Sequence, residues 1–263
     1  VKREISDALD KTTRVGLIGP SLSDYTYAAD VLGIEGVDFS ITSLRASPKS
    51  ASIVALLKGH KSVSIAPEAG TERLRRVINK KITEEDIVET SRMIFSSGIE
   101  RLRLYFIVGL PTETTEDIEG IIKLIKTIRE TGNGNITVTL STFVPKPFTP
   151  FQWHPMEAMK VVKERMGVIK KSLSSVRAVR VFHDVPKYAY MQGMFSMGDR
   201  RVASALKAML GEADWRRASV GVGLDPDFYV FREKGLREAL PWDFIDSGIP
   251  KEKLWEEYKS SLK

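Results

Sequence analysis

The sequence predicts an α/β fold built on parallel strands, and two observations support this prediction. Short β-branched or apolar runs alternate with longer stretches whose apolar residues recur at helical spacing. Capping and turn residues separate the two kinds of segment. Such alternation is typical of βαβ units, which form a parallel sheet that is either open or closed into a barrel.

Five segments have the composition of strands, and they comprise residues 14–18, 37–42, 62–65, 102–108 and 136–140. Helical patterns lie between them. One begins with the capping-box spacing of Thr83 and Asp86 and ends at Gly98, and the next begins with Thr114 and Asp117. Five isoleucines of this second helix share one face: Ile118, Ile121, Ile122, Ile125 and Ile128.

The pattern changes beyond about residue 150, where aromatic residues and methionine accumulate without a clear βα repeat. We therefore expect two domains, an α/β unit over residues 1–175 and a C-terminal accessory domain over residues 176–263. The stretch from Phe182 to Met197 either packs in the core of this second domain or touches a substrate or partner.

Composition excludes several classes of site. The chain has 263 residues and no cysteine, so it holds no disulfide, no thiolate nucleophile and no iron–sulfur cluster on its own cysteines. No apolar run is long enough to span a membrane and no secretory signal is visible, so we expect a cytoplasmic protein. A net charge of +6 permits a nucleic-acid partner but does not favour one over a solvated surface.

Familiar catalytic motifs are missing as well. The three histidines lack the spacing of metal ligands, and no nucleophile elbow, Walker loop or Gly-x-Gly-x-x-Gly fingerprint occurs. In parallel α/β folds ligands meet the carboxyl ends of strands. Each predicted strand is followed by a segment that is polar, small or rich in proline, and together these segments predict a binding surface for one polar ligand.

Three of these segments carry a resemblance to a known family. They are APEAGTERLR at residues 66–75 with Asn79 and Lys80, YFIVGLPTET at 105–114 with Glu116 and Asp117, and FVPKP at 143–147 with TPFQW at 149–153. Together they resemble the later part of a radical S-adenosylmethionine (SAM) barrel. The subgroup most similar is the one whose full-length members carry an N-terminal cobalamin-binding domain, and residues 198–201 and 240–246 resemble its tail. Methylthiotransferases and coproporphyrinogen oxidases are similar more distantly.

The resemblance implies a partial barrel of six βα units whose first strand leads into a Cys-x-x-x-Cys-x-x-Cys loop. That loop holds a 4Fe-4S cluster, which cleaves SAM reductively to a 5′-deoxyadenosyl radical. Because this chain has no cysteine and five visible strands, we expect a partial (βα) TIM-like barrel lacking its first strand, with a small, mostly helical C-terminal appendage. The cluster loop would then lie upstream in a parent protein, cobalamin would bind to a further N-terminal domain, and this chain alone would be inactive.

The resemblance also implies positions that contact SAM. Ser21 and Ser23 lie in the second-strand loop that contacts the methionine amine in the family, where Pro-Ser-Leu-Ser replaces the common Gly-Gly-Glu. Ser43 and Arg45 match polar positions that face the ribose or the carboxylate. An alternative for Arg45 is an ion pair with a neighbouring carboxylate.

Five further positions follow from the same comparison with the family. Glu68 stands where relatives place Gln, and Lys80 stands where some relatives place Arg. Ile107 and Gly109 match the strand that holds the adenine, and Val144 matches a backbone position beside that ring. An alternative for Glu68 is that it caps the helix that follows it.

The fourth strand departs from the family pattern Gly-x-Ile-x-Gly-x-x-Glu, because Tyr105 and Thr112 replace its first Gly and its Glu. Two other functions remain open: a barrel without a cluster that acts as a binding or scaffold protein, and an RNA-binding protein. The substrate is not indicated, because one barrel supports many chemistries. If the first strand is missing, we expect a dimer or crystal neighbour to cover the unpaired strand edge.

Overall fold

The structure is a computed structural model that describes residues 1–19, 22–41, 43–57, 60–212 and 214–263. Its strands are β1 (Arg14–Leu17), β2 (Asp38–Ile41), β3 (Ser62–Glu68), β4 (Arg101–Val108), β5 (Asn135–Thr142) and β6 (Val179–His183). β1 pairs with β2, and β3 to β6 form a four-stranded sheet in chain order. Every pairing is parallel. The predicted α/β fold with parallel strands is confirmed.

Helices connect and follow the strands. They are α1 (Lys2–Leu9), α2 (Ala28–Leu32), α3 (Ser50–Leu56), α4 (Glu72–Val77), α5 (Glu84–Ser96), α6 (Thr115–Glu130), α7 (Met159–Leu173), α8 (Pro186–Met197), α9 (Val202–Ala208), α10 (Trp215–Gly221), α11 (Pro226–Val230) and α12 (Lys251–Ser261). Short 3-10 helices occur at Leu22–Asp24 and Pro150–Trp153.

The two predicted capping boxes form. Thr83 accepts the N–H of Asp86, whose carboxylate accepts the N–H of Thr83 in return, and Thr114 and Asp117 make the equivalent box on α6. Gly98 follows α5 with a φ of +84°, a conformation that glycine adopts without a steric penalty. Local side-chain chemistry therefore sets where these helices begin and end.

β6 is a strand that the sequence pattern did not reveal. Val179 and Val181 are half-buried against the core while Arg180 and Phe182 are exposed, so the alternation is short and no position of the strand is fully buried. The predicted boundary at residue 175 precedes β6, so the four-stranded sheet contains residues from both sides of that boundary. The described strands number six, so the strand count does not by itself indicate a missing strand.

Among the described residues, backbone pairing between the two sheets occurs at Leu44. The N–H of Leu44 donates to the carbonyl of Ser64 at 2.8 Å, and Leu44 forms a parallel bridge with Ile65. The chain after β2 therefore lies against β3. β1 pairs only with β2 among the described strands. That a partner covers its other edge stays a prediction.

The main core lies between the sheet and helices α5, α6 and α7. The buried face of α6 consists of Ile118, Ile121, Leu124, Ile125 and Ile128, and Ile122 is half-buried at its edge. One face of the sheet is apolar and packs against these helices, whereas the other carries the exposed Arg103 and Tyr105 of β4 and the half-buried Thr137 and Thr139 of β5. Four of the five predicted isoleucines are thus fully buried.

The region after β6 is helical and packs through aromatic and methionine side chains. One cluster contains Tyr190, Met194 and Trp215, and another contains Trp153 and Tyr258 of α12. Trp153 is completely buried, so α12 is anchored on the segment that follows β5. Among the helices of the described ranges, none is both long and apolar enough to cross a bilayer.

Candidate ligand cavity at the strand ends

A cavity of about 820 Å³ opens at the carboxyl ends of β3, β4 and β5. The first turns of α8 form its opposite wall. Its apolar lining includes Ile78, Leu110, Phe143 and Phe151. Its volume lies in the range of about 300–1,000 Å³ that small-molecule sites occupy. The carboxyl ends of β3, β4 and β5 thus meet in one concave site.

Four predicted site residues line this cavity: Glu68, Lys80, Ile107 and Val144. Lys80 Nζ lies 3.2 Å from Glu68 Oε1, and both side chains are mostly buried. Glu68 does not cap α4, because Thr71 is the N-cap and accepts the N–H of Leu74. The cavity wall therefore contains a paired carboxylate and ammonium beside apolar side chains.

Glu68 has a left-handed backbone, with a φ of +67° at the end of β3. Residues other than glycine adopt this conformation at an energetic cost and often at functional sites. The register between β3 and β4 shifts between Ile65 and Glu68. The irregular strand end turns the Glu68 side chain toward Lys80.

The predicted residues after β1 and β2 are not part of the cavity lining. Arg45 Nη1 lies 3.5 Å from Asp24 Oδ2, and the Arg45 N–H donates to Ser23 Oγ at 3.0 Å. Ser43 is exposed and Ser23 is buried beneath this contact. Ser21 lies outside the described residues. The first two strand ends thus form a polar cluster of their own, and a ligand contact by these residues stays a prediction.

Gly109 also lies behind the cavity rather than in its lining. Its φ is +85°, and a Cβ there would lie 3.1 Å from the Cβ of Glu157. Its N–H donates to Glu113 Oε2 at 2.8 Å. Glycine at this position therefore allows a tight turn that begins the loop after β4.

Glu113 follows Thr112, the position at which the family pattern has Glu. It is buried, and Arg165 Nη1 donates to its Oε2 at 3.0 Å. Burial raises the pKa of Glu113 to about 7, although the N–H of Gly109 and the charge of Arg165 act in the opposite direction. The loop is one residue longer than the pattern, and a search that tolerated this insertion would have found the residue.

A second carboxylate joins the loops after β3 and β4. Asp117 accepts hydrogen bonds from Thr71, Arg73 and the N–H of Thr114. Burial alone would raise the pKa of Asp117, but these hydrogen bonds lower it. Gly70 lies directly beneath, because a Cβ there would be 2.3 Å from the carbonyl oxygen of Asp117. The two loops that frame the cavity are therefore fixed to the start of α6.

Sequence reasoning missed the cavity residues of β5 and of the wall beyond it. Asp184, Tyr188 and Gln192 line the cavity from the start and first turns of α8, and Thr142 and Lys146 line it from β5 and its following loop. The stretch 182–197 was noted for its aromatic and methionine content, which was the one available signal. It packs in the core and also lines the cavity.

Among the described residues, Thr142 has an unsatisfied buried hydroxyl, and the exposed Lys146 carries an unpaired ammonium. The hydroxyl of Thr142 is buried and finds no hydrogen-bond partner in the described part of the chain. The ammonium of Lys146 makes no ion pair within the described ranges, and partial burial lowers its pKa. Unsatisfied buried groups are uncommon in folded proteins, and such a group in a cavity wall suits a ligand contact.

The chain matches a known family over its first half. Residues 7–125 match the radical SAM superfamily. This stretch includes β1 to β4, and with them Glu68, Lys80 and Ile107 of the cavity.

Two relatives extend the comparison. An uncharacterised protein of Methanocaldococcus jannaschii is 34% identical over 201 residues, which are 75% of this chain and 44% of the relative. An uncharacterised protein of Methanopyrus kandleri is 34% identical over 90 residues, which are 34% of this chain and 17% of the relative. The chain thus spans less than half the length of the curated relatives it matches.

Proposed function

We infer that the cavity at the strand ends binds S-adenosylmethionine, because residues 7–125 of the chain match the radical SAM superfamily. The observation that supports this best is the Glu68–Lys80 ion pair beside Ile107 in the cavity wall. SAM combines a zwitterionic amino acid with a flat, largely apolar base. A wall with both charges and apolar side chains suits such a ligand.

The chain's own residues bind and orient the ligand. Lys80 attracts the ligand's carboxylate, and Glu68 accepts hydrogen bonds from its ammonium or ribose hydroxyls. Ile107 and Val144 offer an apolar slot for adenine. Thr142 has an unpaired hydroxyl for a polar edge of the ligand. Burial of these groups excludes water and strengthens each contact.

The residues of this chain do not fit a 4Fe-4S cluster. The sequence contains no cysteine, and no group of histidine, aspartate and glutamate side chains with metal-site geometry occurs within the described ranges. We therefore propose that the cluster ligands lie in a part of the protein outside these residues. That segment would complete a partial barrel, and a further domain would hold cobalamin.

The same proposal divides the chain into two functional parts. Residues 1–175 supply the strand ends that face SAM, and residues 176–263 supply α8, which faces the substrate. Both contribute to one cavity, since Tyr188 and Gln192 line it opposite Ile107. The substrate would enter between α8 and the strand ends.

Calorimetric titration with S-adenosylhomocysteine, an unreactive analogue, tests the binding. We expect saturable binding, weakened at least about fivefold by Glu68→Gln and by Lys80→Met, because each removes a charge-assisted contact. Glu89→Gln is the matched control, because Glu89 pairs with Arg92 on the exposed face of α5. No binding to the folded chain, or equal loss in all three variants, would contradict the proposal.

The absence of cysteine also favours a second candidate, a barrel that binds a ligand without radical chemistry. The two candidates differ in the parent reading frame. A Cys-x-x-x-Cys-x-x-Cys loop upstream of Val1 supports the enzyme, and its absence supports the binding protein. Anaerobic reconstitution of the parent protein with iron and sulfide then shows whether a cluster forms.

A further inference from the structure

Two hollows of about 660 and 430 Å³ adjoin each other on the helical face away from the strand ends. They share Lys187, Trp215 and Arg216, so they form one continuous depression. Lys163 of α7 lines one end and Arg217 lines the other. We name this surface the α8–α10 groove and define it by these five residues.

The groove collects cations from three helices. Lys163 lies on α7, Lys187 on α8, and Arg216 and Arg217 on α10. Lys163, Lys187 and Arg217 are exposed, and none of them forms an ion pair with a carboxylate of the described residues. A surface lined by several cations attracts anions, so the groove favours an anionic ligand.

Two carboxylates lie beside these cations. Asp214 caps α10 by accepting the N–H groups of Arg216 and Arg217. Asp227 pairs with Arg216 and accepts the hydroxyl of Tyr190. Asp214 also lines the groove, where the N–H of Arg217 and the charges of Lys187 and Arg217 help to lower its pKa, so the four cations lie beside two carboxylates and leave a net positive charge.

Arg216 is held in a fixed orientation at the junction of the two hollows. Its Nη2 donates to Asp227 Oδ1 at 3.0 Å, and its guanidinium lies 5.4 Å from the centre of the Tyr190 ring. Nε and Nη1 find no acceptor in the described part of the chain. A guanidinium that is already oriented loses little entropy when it binds a phosphate oxygen.

The floor of the groove is rigid and has one free donor. Trp215 is buried against Tyr190, with ring centroids 5.1 Å apart. Its indole N–H has no acceptor in the residues that the structure describes. This N–H is buried, so it belongs to the floor and not to the surface that a ligand meets.

We propose that the α8–α10 groove binds a phosphate group of an anionic ligand. A lining of cations from three helices, a guanidinium already oriented by Asp227 and Tyr190, and an open, elongated shape suit phosphate more than a carboxylate, which presents fewer oxygens. The phosphate belongs either to a free phosphorylated molecule or to an RNA strand. This site is separate from the SAM cavity and does not depend on it.

Fluorescence anisotropy with a labelled single-stranded oligouridylate tests the proposal, with pyrophosphate as competitor. We expect a Kd of about 1–100 μM at low salt, which weakens steeply as salt is raised. Displacement by pyrophosphate would assign the site to a free phosphorylated molecule, and resistance to it would assign the site to a strand. Calorimetric titration with pyrophosphate alone measures the second probe directly, and no binding of either probe at low salt would overturn the proposal.

A pair of charge reversals provides the specificity control. Lys187→Glu with Arg217→Glu should weaken binding at least about tenfold, because both cations line the groove. Lys123→Glu with Lys126→Glu makes the same change in net charge on the exposed face of α6 and should weaken it less than about twofold. An equal loss of affinity in both double variants would show non-specific electrostatic attraction and would contradict a phosphate site in the α8–α10 groove.

A milder pair covers the case in which the reversals disturb folding. Lys187→Gln with Arg217→Gln removes the charge, shortens the side chain and keeps it polar, and it should also weaken binding. Thermal denaturation establishes that each variant is folded. Affinity for S-adenosylhomocysteine should stay unchanged in all pairs, which separates this test from that of the SAM cavity.

Discussion

Glu68 at the end of β3 and Lys80 in the loop after α4 form an ion pair at 3.2 Å in the wall of the cavity. Both residues are mostly buried, and Glu68 adopts a left-handed backbone to make the contact. The pair thus links the end of a strand to the loop after α4. It has both a structural and a ligand-binding consequence, and these can be separated.

Exchange of the two charges separates these consequences. Glu68→Lys or Lys80→Glu alone places two like charges together and should lower the free energy of unfolding by about 1–2 kcal/mol. The double exchange should restore most of this stability because the pair reforms. It should not restore affinity for S-adenosylhomocysteine, because a carboxylate would then face the ligand's carboxylate and an ammonium would face the ligand's ammonium. Urea denaturation and calorimetry measure the two effects, and full recovery of affinity would contradict a direct ligand contact.

Thr142→Val should stabilise the ligand-free chain. The buried hydroxyl has no partner in the described residues, and an unpaired buried hydroxyl costs about 1 kcal/mol or more. Valine has nearly the same shape and lacks that group. The same change should weaken S-adenosylhomocysteine binding about threefold or more, because a hydrogen bond is lost. A stability loss in urea denaturation would show that the hydroxyl is already satisfied.

Gly70→Ala should destabilise the chain by about 2 kcal/mol or more, because the new methyl group would overlap the backbone of α6. A Cβ at this position lies 2.3 Å from both Asp117 O and Ile121 N. Gly167→Ala is the control, since nothing lies within 4 Å of a Cβ at this position in α7. It should stabilise the helix by about 0.5–1 kcal/mol. Thermal and urea denaturation measure the stability of both variants. If Gly70→Ala leaves the stability unchanged, α6 can move away from the new methyl group.

Because Glu113 is buried, the free energy of unfolding should fall as the pH rises. Burial raises its pKa from 4.5 to about 7. Between these values the folded chain keeps a proton that the unfolded chain has released, so the stabilisation is complete below pH 4.5 and is lost as the pH rises through 7. The change amounts to at most about 3 kcal/mol. Glu113→Gln does not titrate, so the difference between the two proteins, measured by urea denaturation at each pH, should show this slope. A constant difference would contradict the raised pKa.

Because Lys234 is buried, the free energy of unfolding should rise with pH in the alkaline range. Burial, with the charge of Arg232, lowers its pKa from 10.5 to about 8. Between these values the unfolded chain binds a proton that the folded chain has released, so stability rises with pH across that window. Lys234→Met removes this dependence and leaves the carbonyl of Tyr229 without its donor. Urea denaturation of both proteins between pH 7.5 and 9.5 (about the window given by the shifted pKa) measures the difference, and parallel curves would contradict the prediction.

The sequence determined the features that depend on neighbours along the chain. The capping boxes at Thr83 and Thr114 form because a side chain and a backbone N–H three residues apart meet in any helix start. The isoleucines of α6 are buried because their spacing places them on one face. The absence of cysteine excludes a cluster on this chain whatever the fold.

The tertiary structure decided which strand ends share a cavity. Arg45 and Glu68 both follow strands, yet Arg45 pairs with Asp24 whereas Glu68 faces the cavity. β6 and the α8 wall escaped prediction because strand pairing and helix docking join residues that are distant in sequence. Periodicity reports only which face of an element is buried, while a cavity depends on what the packed elements leave unfilled.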